Sequence, residues 1–148
     1  DRQHPRDLYD IKLLYENEGL TDALFCTFLI YVASSPRPPH ELLNPNLTNL
    51  DQPYAREFEG MTKDTVDLAE LLATRDRLIG DIRSRLNDDA KRFLRTVHEG
   101  EPDFQAIERP QAAGLPAVRW KLINVNKLKA ENPKKHAAQR EELERLLD

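Results

Sequence analysis

Ten prolines punctuate this chain, and they constrain its folding more than any other feature. Pro5, Pro53, Pro116 and Pro133 suit the first position of a helix, where the missing N–H costs nothing. Pro36, Pro38 and Pro39 forbid regular helix and impose extended or polyproline geometry. Pro45, Pro102 and Pro110 stand in turns. Between these marks, apolar residues recur at three and four spacing, the signature of amphipathic helices. No convincing strand pair appears. The expected fold class is therefore all-α: an irregular bundle of about six helices with proline-rich connections.

The first helix is predicted from Pro5 to the glycine stop at Gly19. Thr21 caps the next, with Asp22 just inside. Residues 23–35 are apolar almost all round, and their length favours a helix over a strand, since strands run about 4–8 residues. That helix is expected to be the most buried element, with Cys26 as a small core residue. A stiff connector follows from Ser34 to His40, then turn chemistry from Asn44 to Thr48. A short helix over Leu50 to Phe58 is expected, with Asp51 as a cap and Pro53 at its first position. Thr65 to Leu86 carries the clearest stripe, built on Val66, Leu68, Leu71, Leu72, Leu78, Ile79 and Ile82. Asn87 caps a helix that turns Phe93, Leu94 and Val97 inward and ends at Gly100.

A short helical piece is predicted to stop at Pro110, followed by a loop from Gln111 to Leu115. Pro116 opens a helix over Ala117 to about Lys129, with Val118, Leu122, Val125 and Leu128 inward and Trp120 packed on a neighbour. Pro133 opens the last helix, Lys134 to Leu147, with Ala137, Leu143, Leu146 and Leu147 on its apolar side. We read residues 1–148 as one helical domain. Residues 1–35 form a motif-bearing helix and a buried helix, 36–62 a proline-rich connector with a short helix, and 63–148 a helical tail.

The net charge of -4 argues against wholesale nucleic-acid binding, which needs a basic surface. Two local basic groups remain candidates: Lys91, Arg92 and Arg95, and Arg119, Lys121, Lys127 and Lys129. One cysteine permits no disulfide within the chain, consistent with a reducing compartment. The longest apolar run is too short to span a bilayer, and no signal-peptide pattern occurs. A cytoplasmic location is expected, with no membrane partner. No phosphate-binding glycine loop, zinc motif or nucleophile triad is present. The four histidines, His4, His40, His98 and His136, lie far apart without ligand spacing and read as surface or packing residues. The chain starts inside a charged motif and its single Met is Met61, so it is expected to be the C-terminal portion of a longer protein.

That opening motif runs from Arg2 to Leu14. Asp7 falls in the first turn, where the helix dipole favours negative charge. Leu8, Ile11, Leu14 and Tyr15 make one apolar face. Asp7 and Asp10, three apart, project from neighbouring points. One reading is charge complementarity at a helix start with a solvated face. The other is a metal ligand or general base, as in phosphoryl-transfer sites.

Taken together, these pieces resemble a known family. Arg-x-x-Pro-Arg-Asp-Leu-Tyr-Asp-Ile is similar to a late motif of the AbiEii/AbiGii toxin nucleotidyltransferases, members of the DNA polymerase β-like superfamily. Pro-Arg-Pro-Pro-His-Glu-Leu-Leu-Asn-Pro-Asn, Phe-Glu-Gly-Met-Thr, Lys-Arg-Phe-Leu-Arg-Thr-Val-His-Glu-Gly and Leu-Pro-Ala-Val-Arg-Trp-Lys-Leu resemble the family's helical C-terminal region. The resemblance implies a toxin–antitoxin or phage-defence context and bacterial origin. It also implies a Mg²⁺-dependent transfer from a nucleoside triphosphate, both held by an N-terminal catalytic core absent from this sequence. Carried over by position, Asp7 is the first catalytic candidate and Asp10 the second, with Arg2 and Arg6 as phosphate-facing or structural cations. Implied partners are that core, an antitoxin protein and an RNA acceptor. The chain alone is expected to lack transferase activity. The alternative is a non-catalytic helical module that binds RNA or an antitoxin, and a third reading is a purely structural cap.

Overall fold

The computed structural model describes residues 3–63 and 65–148. Among the described residues there are eight α-helices and no strand. They are α1 (Pro5–Asn17), α2 (Asp22–Val32), α3 (Pro39–Leu43), α4 (Asp51–Glu57), α5 (Leu68–Ser84), α6 (Asp88–Glu99), α7 (Pro116–Glu131) and α8 (Pro133–Leu147). The excess over six lies in α3 and α4, which are each under two turns.

Local chemistry sets most of the boundaries. Thr21 and Asn87 accept from Leu24 N and Ala90 N and so cap α2 and α6. Gly100 ends α6 at φ +86°, and a Cβ there would lie 2.6 Å from Asn126 Oδ1. Two starts differ from expectation. Helix α5 begins at Leu68 rather than Thr65, because Asp67 and Glu70 form a reciprocal capping box. In α4, Asp51 is the first helical residue rather than the cap, so Pro53 falls third. The stretch before α7 also departs from a plain loop: Pro110–Gly114 winds into a 3₁₀ turn.

Apolar side chains gather in two clusters. The smaller one joins Leu8 of α1, Leu50, Phe58, Val66 and Leu71 of α5. Tyr9 and Tyr54 flank Phe58, with ring centroids 5.6 and 5.7 Å away. The Tyr54 hydroxyl donates to Val66 O at 2.8 Å, tying α4 to the run into α5. The larger cluster joins α2, α3, α6, α7 and α8 around Phe93, Leu94 and Leu29. Helix α5 spans both, with Leu71 in the first and Ile82 against the second.

The most buried helix is α6, which encloses Ala90, Phe93, Leu94, Val97 and His98. It displaces α2 from that role: α2 seals Phe25, Leu29 and Val32 but leaves Tyr31 71 % exposed and Cys26 half-buried. An all-round apolar sequence marks a helix as buried only if neighbours exist on every side. Trp120, expected to pack on a neighbour, is 65 % exposed, and its inward place on α7 is taken by Lys121.

Candidate functional site

The motif helix α1 is tied down at its N-terminal end by the polar side chains of Gln3, His4 and Arg6. Gln3 Nε2 donates to Asn46 O at 2.6 Å, while its Oε1 accepts from Thr48 N at 3.1 Å. Arg75 Nη1 of α5 donates to the same Oε1 at 3.1 Å and to Thr48 O at 2.9 Å. His4 caps α1: its Nδ1 accepts from Arg6 N at 3.2 Å. An accepting Nδ1 places the ring proton on Nε2, which lies 2.9 Å from Glu57 Oε2. Arg6 donates through Nε and Nη2 to the Glu57 carbonyl, at 3.2 and 3.1 Å. This cation therefore satisfies a carbonyl at the C-terminal end of α4, where backbone acceptors lack partners. Pro5, between these residues, is buried.

Asp7 sits in the first turn and is half-buried, whereas Asp10 one turn on is exposed. Leu8, buried between them, anchors the helix in the smaller cluster. Arg2 lies outside the described residues. Further along, Lys12 pairs with Glu16 on the same helix. The Arg77 guanidinium of α5 lies 3.9 Å from the centroid of Tyr15. The buried Tyr15 hydroxyl lies beside the Asp81 carboxylate. Burial, with the Asp81 carboxylate nearby, pushes its pKa up to about 12.

Metal binding asks for more oxygen or nitrogen ligands than α1 offers. Among the described residues no three histidine, cysteine or acidic groups converge.

The two basic groups are less available than their sequences suggest. Arg92 pairs with Asp89 and Asp103, Arg95 with Glu144, and Lys129 with Glu99. Lys121 is 3 % exposed and lies inside the bundle. Sequence distance also hid a histidine pair. His98 of α6 and His136 of α8 stack with centroids 4.1 Å apart and planes 17° apart. Each Nε2 bonds the other's backbone carbonyl, at 3.1 and 3.0 Å. Burial, followed by the neighbouring His136, lowers the His98 pKa to about 4. Only the helical register of both residues on inward faces hinted at this meeting.

Residues 1–124 match the family model described as nucleotidyl transferase AbiEii toxin, type IV toxin–antitoxin system. The chain belongs to the AbiEii family. No curated protein and no solved structure matches it. The AbiEii match covers α1 to α6 and much of α7, so it contains the tethered motif and the smaller apolar cluster, while α8 with its Leu143 and Leu147 in the larger cluster lies beyond it. It suggests a toxin–antitoxin nucleotidyltransferase with an antitoxin as a possible partner. No described helix is long and apolar enough to cross a membrane.

Proposed function

We propose that this chain supplies the acceptor-orienting edge of a nucleotidyl-transfer site, and that an N-terminal core of the same protein supplies the rest. The observation that supports this reading most is the tethering of α1. Gln3, His4 and Arg6 bind three separate pieces of backbone or side chain, which holds Asp7 and Asp10 on a rigid edge. Nucleotidyl transfer needs an acceptor hydroxyl aligned with the α-phosphate, and a carboxylate on a fixed helix suits that task. Asp7 is the orienting or proton-accepting group and Asp10 the second candidate. Arg2 and Arg6 set positive charge beside the phosphates, with Arg6 also holding α4. Mg²⁺ and the nucleoside triphosphate belong to the core rather than to residues of this chain.

The test is transfer of label from a nucleoside triphosphate by the protein carrying that core. Asp7→Asn is expected to lower the rate about 100-fold or more with an unchanged melting temperature, and Asp10→Asn to lower it less. Wild-type rates in both variants would overturn the proposal. So would transfer by the 148-residue chain alone.

A second reading, an RNA- or antitoxin-binding module, draws on α7. Trp120 and Ile123, 65 % and 59 % exposed, stand on one face with exposed Arg119 and Lys127. Binding that weakens steeply with salt would mark phosphate contacts there.

A further inference from the structure

Lys121 presents a problem that the transfer site does not solve. Its ammonium is sealed between α7 and the proline-rich connector, where it donates to Ser35 O at 2.7 Å and to Arg37 O. Both acceptors are neutral carbonyls. Glu41 is the carboxylate that acts on it at longer range, and Glu41 is already ion-paired with Arg37 at 3.1 Å. Burial pulls the Lys121 pKa down to about 8, so the group remains largely charged at neutral pH. A buried cation without a bonded counter-charge is costly.

The same side chain lines a cavity of about 270 Å³. Lys135, Asn124 and Gln139 face it as further donors, and Pro36, Pro38 and Pro39 wall it without N–H groups of their own. His98 and His136 form another wall, and each has its Nε2 committed to the partner's carbonyl. The first two turns of α8 contribute Lys135, His136 and Gln139 to its lining. The cavity therefore collects two ammonium groups and two side-chain amides against one carboxylate that is already paired. Its volume lies at the small end of ligand sites, roughly 300–1,000 Å³ for drug-sized molecules, which suits an inorganic oxyanion.

We propose that this cavity binds a small phosphate-class anion, inorganic phosphate or pyrophosphate, with Lys121 as the buried cation and Lys135, Asn124 and Gln139 as donors around it. The site is separate from α1 and does not rest on the transfer reading. Bound anion would bridge α7 and α8 and supply the charge that the connector carbonyls cannot.

Calorimetry and ³¹P NMR on the 148-residue chain, with ionic strength held constant by sodium chloride, test this. Saturable binding of one anion per chain is expected, and the separate titrations show which of the two anions is preferred. The double variant Lys135→Gln/Gln139→Ala touches neither connector carbonyl, so it should fold as wild type and weaken binding about tenfold or more. Lys121→Met should abolish binding. No saturable binding of either anion by the wild-type chain would overturn the proposal. So would undiminished binding by a folded double variant.

Discussion

The two apolar clusters treat polar groups in opposite ways. Around Leu8, Phe58 and Leu71, polar side chains stay at the rim and reach outward from a buried anchor to bind neighbouring backbone. Around Phe93, Leu94 and Val97, polar groups are taken inside, so His98, His136 and Lys121 must be satisfied by carbonyls. The first arrangement fixes a helix end while leaving its carboxylates near solvent. The second adds cohesion to α6, α7 and α8 and makes that cohesion sensitive to protonation. A small cluster with a tethered edge can present chemistry, whereas a large sealed one holds the molecule together.

The comparison can be broken most severely from the larger cluster. Phe93→Ala should cost about 3–5 kcal/mol of unfolding free energy, measured by urea titration, and should lower protection of every helix together. Phe58→Ala in the smaller cluster should instead speed amide hydrogen exchange in α1 and α4 before the rest, because Tyr9 and Tyr54 can close over the gap. Equal loss of protection everywhere would merge the two clusters into one cooperative unit.

Acidification sharpens the contrast next. The folded-state pKa of His98, about 4, lies below its ordinary value of 6.5, so the unfolded chain takes up the proton first. Stability from this group is fully present above pH 6.5 and is lost as pH falls through 4. The loss amounts to roughly 3 kcal/mol if the whole shift is expressed. Unfolding titrations between pH 7 and 4 should show this slope, and His98→Leu should flatten it.

Smaller effects come from the helix ends. Gly100→Ala forces a left-handed φ on a residue with a Cβ and pushes on Asn126. The expected cost is about 1–2 kcal/mol, read from the melting temperature. Asp67→Ala removes one half of the capping box of α5 and should cost about 1 kcal/mol.

Helix positions were legible in the sequence wherever a proline, cap or glycine coincided with an apolar stripe, as at Pro5, Thr21, Asn87, Gly100 and Pro133. The start of α5 was legible in principle, since Asp67-x-x-Glu70 is a capping-box pattern. It was obscured because Val66 continues the apolar stripe although it precedes the helix. Burial was less legible. Tyr31 and Trp120 are apolar but exposed and Lys121 is charged but buried, because inward direction depends on where neighbouring helices cross. The spacing of Asp7 and Asp10 left two readings open, and the family resemblance made them catalytic candidates. Their setting was not legible: Gln3 meets Asn46, Thr48 and Arg75, and Arg6 meets Glu57, at sequence separations of 43 to 72 residues. No local pattern encodes such pairings. The His98–His136 stack, 38 residues apart, escaped for the same reason.

The central claim is that tethering of the N-terminal end of α1 sets the position of Asp7 and Asp10. The most direct test uses the core-containing protein with Gln3→Ala and His4→Ala together, which cuts two tethers and leaves both carboxylates in place. The account predicts a fall in kcat for nucleotidyl transfer of about tenfold or more, the scale expected when a reacting group is mispositioned, with the nucleotide KM little changed and the protein still folded. A kcat equal to wild type in that folded double variant would contradict it.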